Sequence, residues 1–315
     1  MIDSTVPDRE EVCCYLCGSD QRRPLLVAED DLTGKPGRFP FVVCSVCGLS
    51  YQNPRICIER IKAYYDDEYI AHRKKRNWGP LGGLVERAMD RLDRNKIDIV
   101  RRYVDLRNGD NLLDIGCGAG TFLAKAHSLS GVNPVGVDFI DLARLPGFDR
   151  IEFHCGLFYS VDVGQERFKL ITMWHFLEHD YDPDRSLRCA REALTADGRL
   201  VIEVPRLDSL TYRLYRERWP GLQAPQHTVL YTRETLLKQV TRAGFEVVEY
   251  LPYGAYPAYF YIFSGAAFLF LKGRGLDLGK IVVPYFLGQL LLAPLLLFEK
   301  KLNLCMQTVI CRKKP

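Results

Sequence analysis

Short apolar runs alternate with amphipathic segments from residue 109 onward, which predicts strands separated by helices. The runs at 112–115, 135–137, 151–154, 169–174 and 199–204 are the predicted first to fifth strands. A turn is predicted at 196–198, and a capped helix begins after Thr232. Residues 245–250 are expected to complete the region of the sixth and seventh strands. This alternation predicts an α/β fold around a doubly wound, mostly parallel sheet.

Glycines occupy every second position where the first predicted strand meets the next helix. Gly116, Gly118 and Gly120 follow Asp114, and Thr121 opens the helix. A turn without side chains lets a ligand lie against the backbone N–H groups at the helix start. A dinucleotide fingerprint needs G-x-G-x-x-G, and Thr121 stands where the third glycine would be. The spacing therefore predicts a nucleotide-type pocket and disfavours a nicotinamide-dependent oxidoreductase.

A second acidic residue, Asp138, ends the predicted second strand 18 residues after Gly120. A carboxylate at this strand tip can accept hydrogen bonds from both hydroxyls of a ribose. The glycine turn and this acid resemble the first two motifs of class I S-adenosylmethionine-dependent methyltransferases. The resemblance implies a Rossmann-like, seven-stranded sheet and S-adenosylmethionine as cofactor. The cofactor-binding residues that it implies are Asp114, Gly116, Cys117, Gly118, Gly120, Asp138, Phe139, Trp174 and His175.

The run 174–183 resembles the fourth motif of that family, an H-x-x-E-H stretch that ends in D-P. It supplies His175, Glu178 and His179 at a strand tip, where ligands of parallel sheets are bound. The acid often found after the third strand has no equivalent at 155–158, so adenine binding there is expected to use the backbone. A catalytic metal at His175 and His179, with Glu178, is a weaker alternative, because the order H-F-L-E-H departs from H-E-x-x-H.

A later segment, 219–227, resembles a W-x-G-L-x-x-P-x-H signature of one methyltransferase subgroup. An arginine commonly precedes its histidine, whereas this chain has Gln226, which weakens any inference of an anionic substrate. Methyl transfer requires removal of a proton from the acceptor, and histidine suits that role. The predicted catalytic residues are His227, His175, Glu178 and His179. The alternative role for His227 is a hydrogen bond that orders its loop.

Four of the 11 cysteines form two C-x2-C-G knuckles, Cys14 with Cys17 and Cys44 with Cys47. The glycine after each pair permits the positive φ of a tight turn, and two such turns complete a tetrahedral four-thiolate site. This spacing predicts a structural Zn²⁺ ribbon with a hairpin built from 25–27 and 39–43, and four buried cysteines without metal are the alternative. The following stretch, 47–54, resembles bacterial methyltransferases with an N-terminal zinc-binding module, in which a tyrosine cluster at 64–69 links module and catalytic domain. Those tyrosines either close over the ligand or pack a domain junction.

The segments 255–271 and 281–298 carry no charged residue. Their length and flanking lysines predict a hairpin in peripheral contact with a membrane, and a buried helical pair or a dimer interface is the alternative. The scattered net charge of +4 argues against a nucleic-acid partner. The cysteines and the acidic start indicate the cytoplasm, at the inner face of the cell membrane.

The predicted domains are a zinc-ribbon module (1–54), a helical linker or cap (55–108), a cofactor-binding domain (109–252) and a hydrophobic helical tail (253–315). The expected activity is methyl transfer to an oxygen or carbon of a sugar or lipid-linked cell-envelope intermediate. A soluble small metabolite as acceptor and a zinc-ribbon interaction protein with a vestigial cofactor fold are the alternatives. The pattern does not indicate an oligomeric state.

Overall fold

The computed structural model describes residues 8–65, 82–145, 147–271, 275, 286–290, 292, 294 and 298–314. The N-terminal strands are β1 (Arg9–Glu10), β2 (Arg22–Ala28), β3 (Phe39–Cys44), β4 (Ser50–Gln52) and β5 (Arg55–Ile56). Strands β2 and β3 form the antiparallel hairpin predicted between the two knuckles. Strand β4 pairs with β3, and β1 pairs with β5.

Helices α1 (Ile58–Ile61) and α2 (Gly82–Val100) precede the large sheet. The later strands are β6 (Asn111–Ile115), β7 (Asn133–Asp138), β8 (Glu152–Cys155), β9 (Phe168–Trp174), β10 (Leu194–Pro205), β11 (Val229–Leu230), β12 (Phe245–Leu251) and β13 (Met306–Lys313). The later helices are α3 (Thr121–Ser130), α4 (Pro183–Ala193), α5 (Leu210–Tyr215), α6 (Arg233–Arg242) and α7 (Ala258–Leu271).

Seven strands form the central sheet in the order β12-β13-β10-β9-β6-β7-β8. Strand β13 is antiparallel to both of its neighbours, and the other pairings are parallel. This confirms the predicted mostly parallel, Rossmann-like sheet. Apolar side chains on the two faces of its inner strands form the buried core, with Leu113, Ile171 and Ile202 on one face and Leu112, Leu170 and Val201 on the other.

The seventh strand is not where the sequence pattern located it. It lies at 306–313, after the apolar tail, and inserts between β10 and β12. The end of the tail therefore belongs to the central sheet, because β10 and β12 each pair an edge with it. The predicted turn at 196–198 is also corrected, since β10 begins at Leu194 and runs through it with a shift of register.

Helix boundaries follow the local signals in the sequence. Helix α3 begins at Thr121 after Gly120, whose φ of 69° is left-handed, and ends before Gly131 with φ 68°. Thr232 caps α6 in a reciprocal pair with Thr235, as its sequence predicts. Gly244, with φ 85°, follows α6 and leads into β12. These ends are encoded by residues adjacent in the chain.

The N-terminal sheet is completed by a strand that is remote in the sequence. Strand β11 pairs antiparallel with β4, giving the order β11-β4-β3-β2. In addition, the guanidinium of Arg55 donates to the carbonyl oxygen of Tyr181 at 2.9 Å. The cysteine-containing region and the catalytic region thus share one sheet and a buried ion-to-carbonyl contact.

The first apolar segment of the tail forms helix α7, which packs against α5 and buries Tyr259, Tyr261 and Phe268. Most of the second segment, 281–298, lies outside the described residues. Within the described part of the chain, no helix combines the length and the hydropathy needed to cross a bilayer.

Candidate functional site

A cavity of about 620 Å³ lies where β6, β7 and β9 end. Gly116, Phe139 and His175 directly follow these three strands and line it, as expected for a ligand site of an open parallel sheet. Helix α2 covers the cavity and contributes Val85, Met89 and other side chains to its wall. The predicted helical cap therefore faces the site.

The three glycines of the turn have different surroundings. Gly118, with φ 50°, lines the cavity, and a Cβ there would meet no atom within 4 Å. A Cβ on Gly116 would approach Phe176 to 2.9 Å, and one on Gly120 would approach Ile151 to 2.9 Å. Gly118 thus presents bare backbone to a ligand, whereas Gly120 lies behind the cavity wall and permits close packing of the turn.

Asp138 holds the glycine turn from the tip of β7. One carboxylate oxygen accepts the backbone N–H of Gly118 at 3.0 Å, and the other accepts that of Ile140 at 3.0 Å. Asp138, Cys117 and Phe139 all line the cavity. Each carboxylate oxygen has a further lone pair, so the side chain can still accept a hydroxyl from a ligand.

Backbone lines the cavity beyond β8, where the family's usual acid is missing. Gly156 and Leu157 border the space, and the N–H of Gly156 donates to the carbonyl oxygen of Asp138 at 2.9 Å. The N–H of Gly156 is thus used within the protein, and recognition of a ring by backbone groups here stays a prediction.

Asp114 is 3% exposed and lies beneath the cavity, not in its wall. Its carboxylate accepts the hydroxyl of Thr172 at 2.6 Å. Burial raises the pKa of Asp114 to about 7, against the opposing effects of Lys96 and of the Thr172 hydrogen bond. Asp114 is thus placed to respond to a positive charge in the cavity, without lining it.

Lys96 is a cavity residue that sequence reasoning missed. It lies on α2, and its ammonium is 5.7 Å from the ring centre of Trp174. The indole N–H of Trp174 is buried and has no hydrogen-bond partner among the described residues. A lysine within the buried stripe of a predicted helix was the signal available in the sequence. Both residues line the cavity, and the Lys96 ammonium also pairs with Asp93 at 3.5 Å.

His175 lies between two buried carboxylates. Its Nδ1 is 3.3 Å from Glu178 and its Nε2 is 3.3 Å from Glu203. Burial disfavours the imidazolium, but the two carboxylates outweigh burial and raise the pKa of His175 to about 9. Its backbone has a positive φ of 54°. This geometry makes His175 a positively charged donor near neutral pH, which differs from the predicted role as base.

Glu203 is a second residue that the sequence analysis did not select. Its carboxylate accepts the backbone N–H groups of Ala255 at 2.6 Å and Tyr256 at 3.1 Å. The hydroxyl of Thr308, on β13, donates to it at 3.2 Å. Glu203 therefore joins the strand tip, the start of the tail and His175.

His227 and His179 contact each other edge to face, with ring centres 4.4 Å apart. The Nδ1 of His227 is 2.8 Å from the carbonyl oxygen of Gly221, and the Nδ1 of His179 is 3.1 Å from that of Gln226. A carbonyl can only accept, so each Nδ1 is assigned the proton and each Nε2 the lone pair. Burial lowers the pKa of both imidazoles.

Two of the three linker tyrosines lie in the described residues, and they act differently. Tyr65 lines the cavity, contacts the Phe139 ring at 5.0 Å, and its hydroxyl is 2.9 Å from Nδ1 of His179. Tyr64 is buried against Phe39 in the junction between the two sheets. Tyr69 lies outside the described residues. Tyr64 thus packs the junction between the sheets, and closure of Tyr65 over a ligand stays a prediction.

A second part of the cavity wall, called here its apolar end, consists mainly of apolar side chains. It is formed by aromatic and aliphatic side chains from the signature segment and from the start of the tail, namely Trp219, Leu222, Tyr256, Phe260 and Tyr261. Tyr256 contacts the ring of His175, with centres 5.2 Å apart. The polar and apolar ends therefore meet at His175.

The four knuckle cysteines converge, with all four Sγ atoms within 4.8 Å of one another. Cys14 lies 3.4 Å from Cys47, and Cys17 lies 3.5 Å from Cys44. A tetrahedral zinc site with 2.3 Å bonds places its sulfurs roughly 3.8 Å apart, so the cluster has the size and donor type that zinc requires. Gly18 and Gly48 have φ of 76° and 82°, as the knuckle geometry predicts.

Residues 85–250 match a family model described as a methyltransferase domain. An uncharacterised 37.1 kDa protein from a Streptomyces fradiae transposon is 34% identical over 117 residues, which cover 34% of each chain. A ubiquinone biosynthesis O-methyltransferase of Coxiella burnetii is 26% identical over 130 residues, 39% of this chain and 54% of that protein. The chain thus matches between a third and about half of these relatives' lengths.

A solved structure, an S-adenosylmethionine-dependent methyltransferase from Mesorhizobium loti, is similar with a TM-score of 0.48 and 18% identity. The match covers 70% of this chain and 98% of that one.

Proposed function

This chain belongs to the methyltransferase domain family, and we propose that it transfers a methyl group from S-adenosylmethionine to an oxygen or carbon of a sugar or lipid-linked cell-envelope intermediate. The family match confirms the methyltransferase prediction, whereas the acceptor is our own inference. The observation that carries the proposal is one cavity with a donor-rich end at the glycine turn and an apolar end at Tyr256 and Trp219.

The polar end suits the cofactor. Asp138 would accept the ribose hydroxyls, Phe139 and Leu157 would flank the adenine, and Gly118 would allow close approach of the backbone. Lys96 and the indole N–H of Trp174 would donate to the carboxylate of the methionine part. The bound cofactor supplies an electrophilic methyl group on a sulfonium. The residues of this chain orient it and exclude water around it.

The apolar end suits an acceptor with a hydrocarbon portion. Trp219, Phe260 and Tyr261 offer aromatic surface that a small, fully hydrated metabolite would not use. The Coxiella burnetii relative is named for ubiquinone biosynthesis, which supports an acceptor of this amphiphilic kind. The acceptor's polar group would then lie beside His175, His179 and His227, which also line the cavity. The His175 ring contacts Tyr256, and the His179 and His227 rings contact each other.

We place the protein at the inner face of the cell membrane, through residues 255–298. Phe270, near the end of α7, is 86% exposed, and Leu214 on the adjoining α5 is 68% exposed. Large exposed apolar side chains on neighbouring helices favour contact with a lipid surface.

We also propose that Cys14, Cys17, Cys44 and Cys47 bind zinc in a structural role. An all-thiolate site leaves no coordination position for a substrate, so the ion would stabilise the fold and take no part in the reaction.

In the experiment, a membrane extract and a soluble extract are each incubated with the protein and methyl-labelled S-adenosylmethionine. Label in the lipid-extractable fraction is the expected result. Label confined to water-soluble material would favour a small metabolite as acceptor. A calorimetric titration with S-adenosylmethionine distinguishes the remaining alternative, since absence of heat at high cofactor concentration would indicate a vestigial site.

A further inference from the structure

A second group of side chains that can bind a metal lies beside the cavity. Its ligand atoms are nitrogen and oxygen, whereas those of the cysteine cluster are sulfur. Glu178, His179 and His227 each place a ligand atom within 4.8 Å of the others. His179 and His227 line the cavity, and Glu178 is a buried residue that does not line it. We infer that these three residues form a binding site for a divalent transition-metal ion that holds the methyl acceptor.

The carboxylate of Glu178 is the feature that most needs a partner. The residue is 1% exposed, and neither of its oxygens has a hydrogen-bond partner among the described residues. His175 lies 3.3 Å from one oxygen as an ion pair, which leaves the second oxygen uncompensated. An unsatisfied buried carboxylate is costly, and a cation held by the two imidazoles would satisfy it.

Both imidazoles have a backbone contact of the kind that metal-bound histidines usually have. Nδ1 of His227 faces the carbonyl oxygen of Gly221 at 2.8 Å, and Nδ1 of His179 faces that of Gln226 at 3.1 Å. Metal-bound histidines commonly donate their other ring N–H to a carbonyl, which fixes the ring and its tautomer. The same contacts leave each Nε2 lone pair available.

The backbone fixes the three ligands relative to one another without a metal. The N–H groups of Thr228 and Val229 donate to the carbonyl oxygen of Glu178 at 2.8 and 3.1 Å. The hydroxyl of Thr228 donates to the carbonyl oxygen of Asp180 at 2.8 Å. The segment that contains His227 is thus bonded directly to the segment that contains Glu178 and His179, so the site is preorganised.

The donor set indicates the class of ion and its role. Two imidazoles and one carboxylate favour Mn²⁺, Fe²⁺, Co²⁺ or Zn²⁺, whereas Mg²⁺ and Ca²⁺ prefer oxygen ligands alone. Three protein ligands leave coordination positions open toward the cavity. An acceptor hydroxyl bound there would lose its proton to water more readily. Its oxygen would then form a bond to the methyl carbon as the methyl–sulfur bond of S-adenosylmethionine breaks and S-adenosylhomocysteine leaves. This role rests on the proposed function, but binding of the ion does not.

The test uses the full-length, zinc-loaded protein, titrated with Mn²⁺ while free Mn²⁺ is followed by electron paramagnetic resonance. One Mn²⁺ site per chain is expected, and Glu178→Gln or His227→Ala should weaken it by about tenfold or more. His154→Ala is the matched control, because this partly exposed histidine pairs with Glu152 far from the cluster. Absence of Mn²⁺ binding, or binding that all variants retain, would overturn the inference.

A second measurement on the unmodified protein does not depend on the variants' folding. Co²⁺ added to the zinc-loaded chain should give visible d–d bands without thiolate charge transfer, as expected for nitrogen and oxygen ligands. Thiolate bands alone would place the added metal at the cysteines and contradict the site. Titration with S-adenosylmethionine is scored separately, so a chain that binds cofactor but no second metal refutes only this inference. A chain that binds Mn²⁺ at these residues but no cofactor refutes only the proposed function.

Discussion

The carboxylate of Asp138 accepts the backbone N–H of Gly118 at 3.0 Å, which joins the tip of one strand to the glycine turn that follows its neighbour. Two motifs that the sequence separates by a helix are therefore one physical unit. A change at either residue should alter the same binding surface.

Asp138→Asn is expected to weaken S-adenosylmethionine binding by roughly 10- to 100-fold, because hydrogen bonds to a charged acceptor contribute about 1.5–3 kcal/mol. Calorimetric titration measures the change. Asp141→Asn is the matched control, since that exposed carboxylate accepts the N–H of Ala143 and does not line the cavity. Equal affinity in the Asp138 variant and the wild type would contradict the ribose role.

Asp114 should make cofactor binding depend on pH. Burial raises its pKa to about 7, so it is largely protonated at pH 6 and ionised at pH 8. The groups that act on it are Lys96, Asp93, Asp138 and the Thr172 hydroxyl. A cationic cofactor favours the ionised form, so affinity should fall by up to about tenfold between pH 8 and pH 6. Titrations across this range should show a dependence that Asp114→Asn removes.

The same shift has a consequence for the stability of the unliganded protein. Because the folded-state pKa is raised, the contribution of Asp114 is fully present below about pH 4 and is lost as pH rises through about 7. Denaturant unfolding at pH 5 and pH 8 should therefore show a loss of stability with pH that is smaller in Asp114→Asn. An unchanged difference in the variant would assign the loss to other groups.

Cys44→Ser is expected to abolish bound zinc and to lower the unfolding temperature, because Cys44 ends β3 and belongs to the four-cysteine cluster. The effect should extend to the cavity, since β4 pairs with β11 just after His227. Metal analysis and thermal unfolding measure both. Cys13→Ser is the control, as this neighbouring cysteine is exposed and outside the cluster. Full zinc content in Cys44→Ser would refute the four-thiolate site.

Glu203→Gln should reduce turnover more than cofactor affinity. The neutral amide oxygen is a weaker acceptor for the N–H groups of Ala255 and Tyr256. The substitution also removes one of the two negative charges beside His175. We expect a loss of stability of about 1–3 kcal/mol. Glu246→Gln is the control, because Glu246 is an exposed residue of β12 that pairs with Arg312. Turnover equal to wild type would show that Glu203 only supports the fold.

Parts of the site that depend on neighbouring residues could be predicted from the sequence. The glycine turn, the cap at Thr232 and the two cysteine knuckles each require only a few consecutive residues to adopt a defined backbone shape. The alternation of apolar and amphipathic segments likewise encodes which face of each element is buried. The structure confirmed the sheet and the approximate strands that this alternation predicts.

Other parts depend on residues that are remote in the chain. The sequence of β13 looks like the end of the apolar tail, and only its pairing with β10 and β12 identifies it as a strand of the central sheet. Lys96 and Glu203 are inconspicuous in sequence, and they matter because a helix and a strand tip bring them to the cavity. The same holds for the approach of His227 to Glu178.

The sequence by itself determined the mostly parallel sheet, the glycine turn and the four-cysteine cluster, since periodicity and motif spacing act through local backbone geometry. The tertiary structure decided the position of the last strand, the union of the two sheets through β11 and the grouping of Glu178 with two histidines. Those contacts are set by packing and hydrogen bonding between distant segments, and no local pattern records which distant partner a segment will meet.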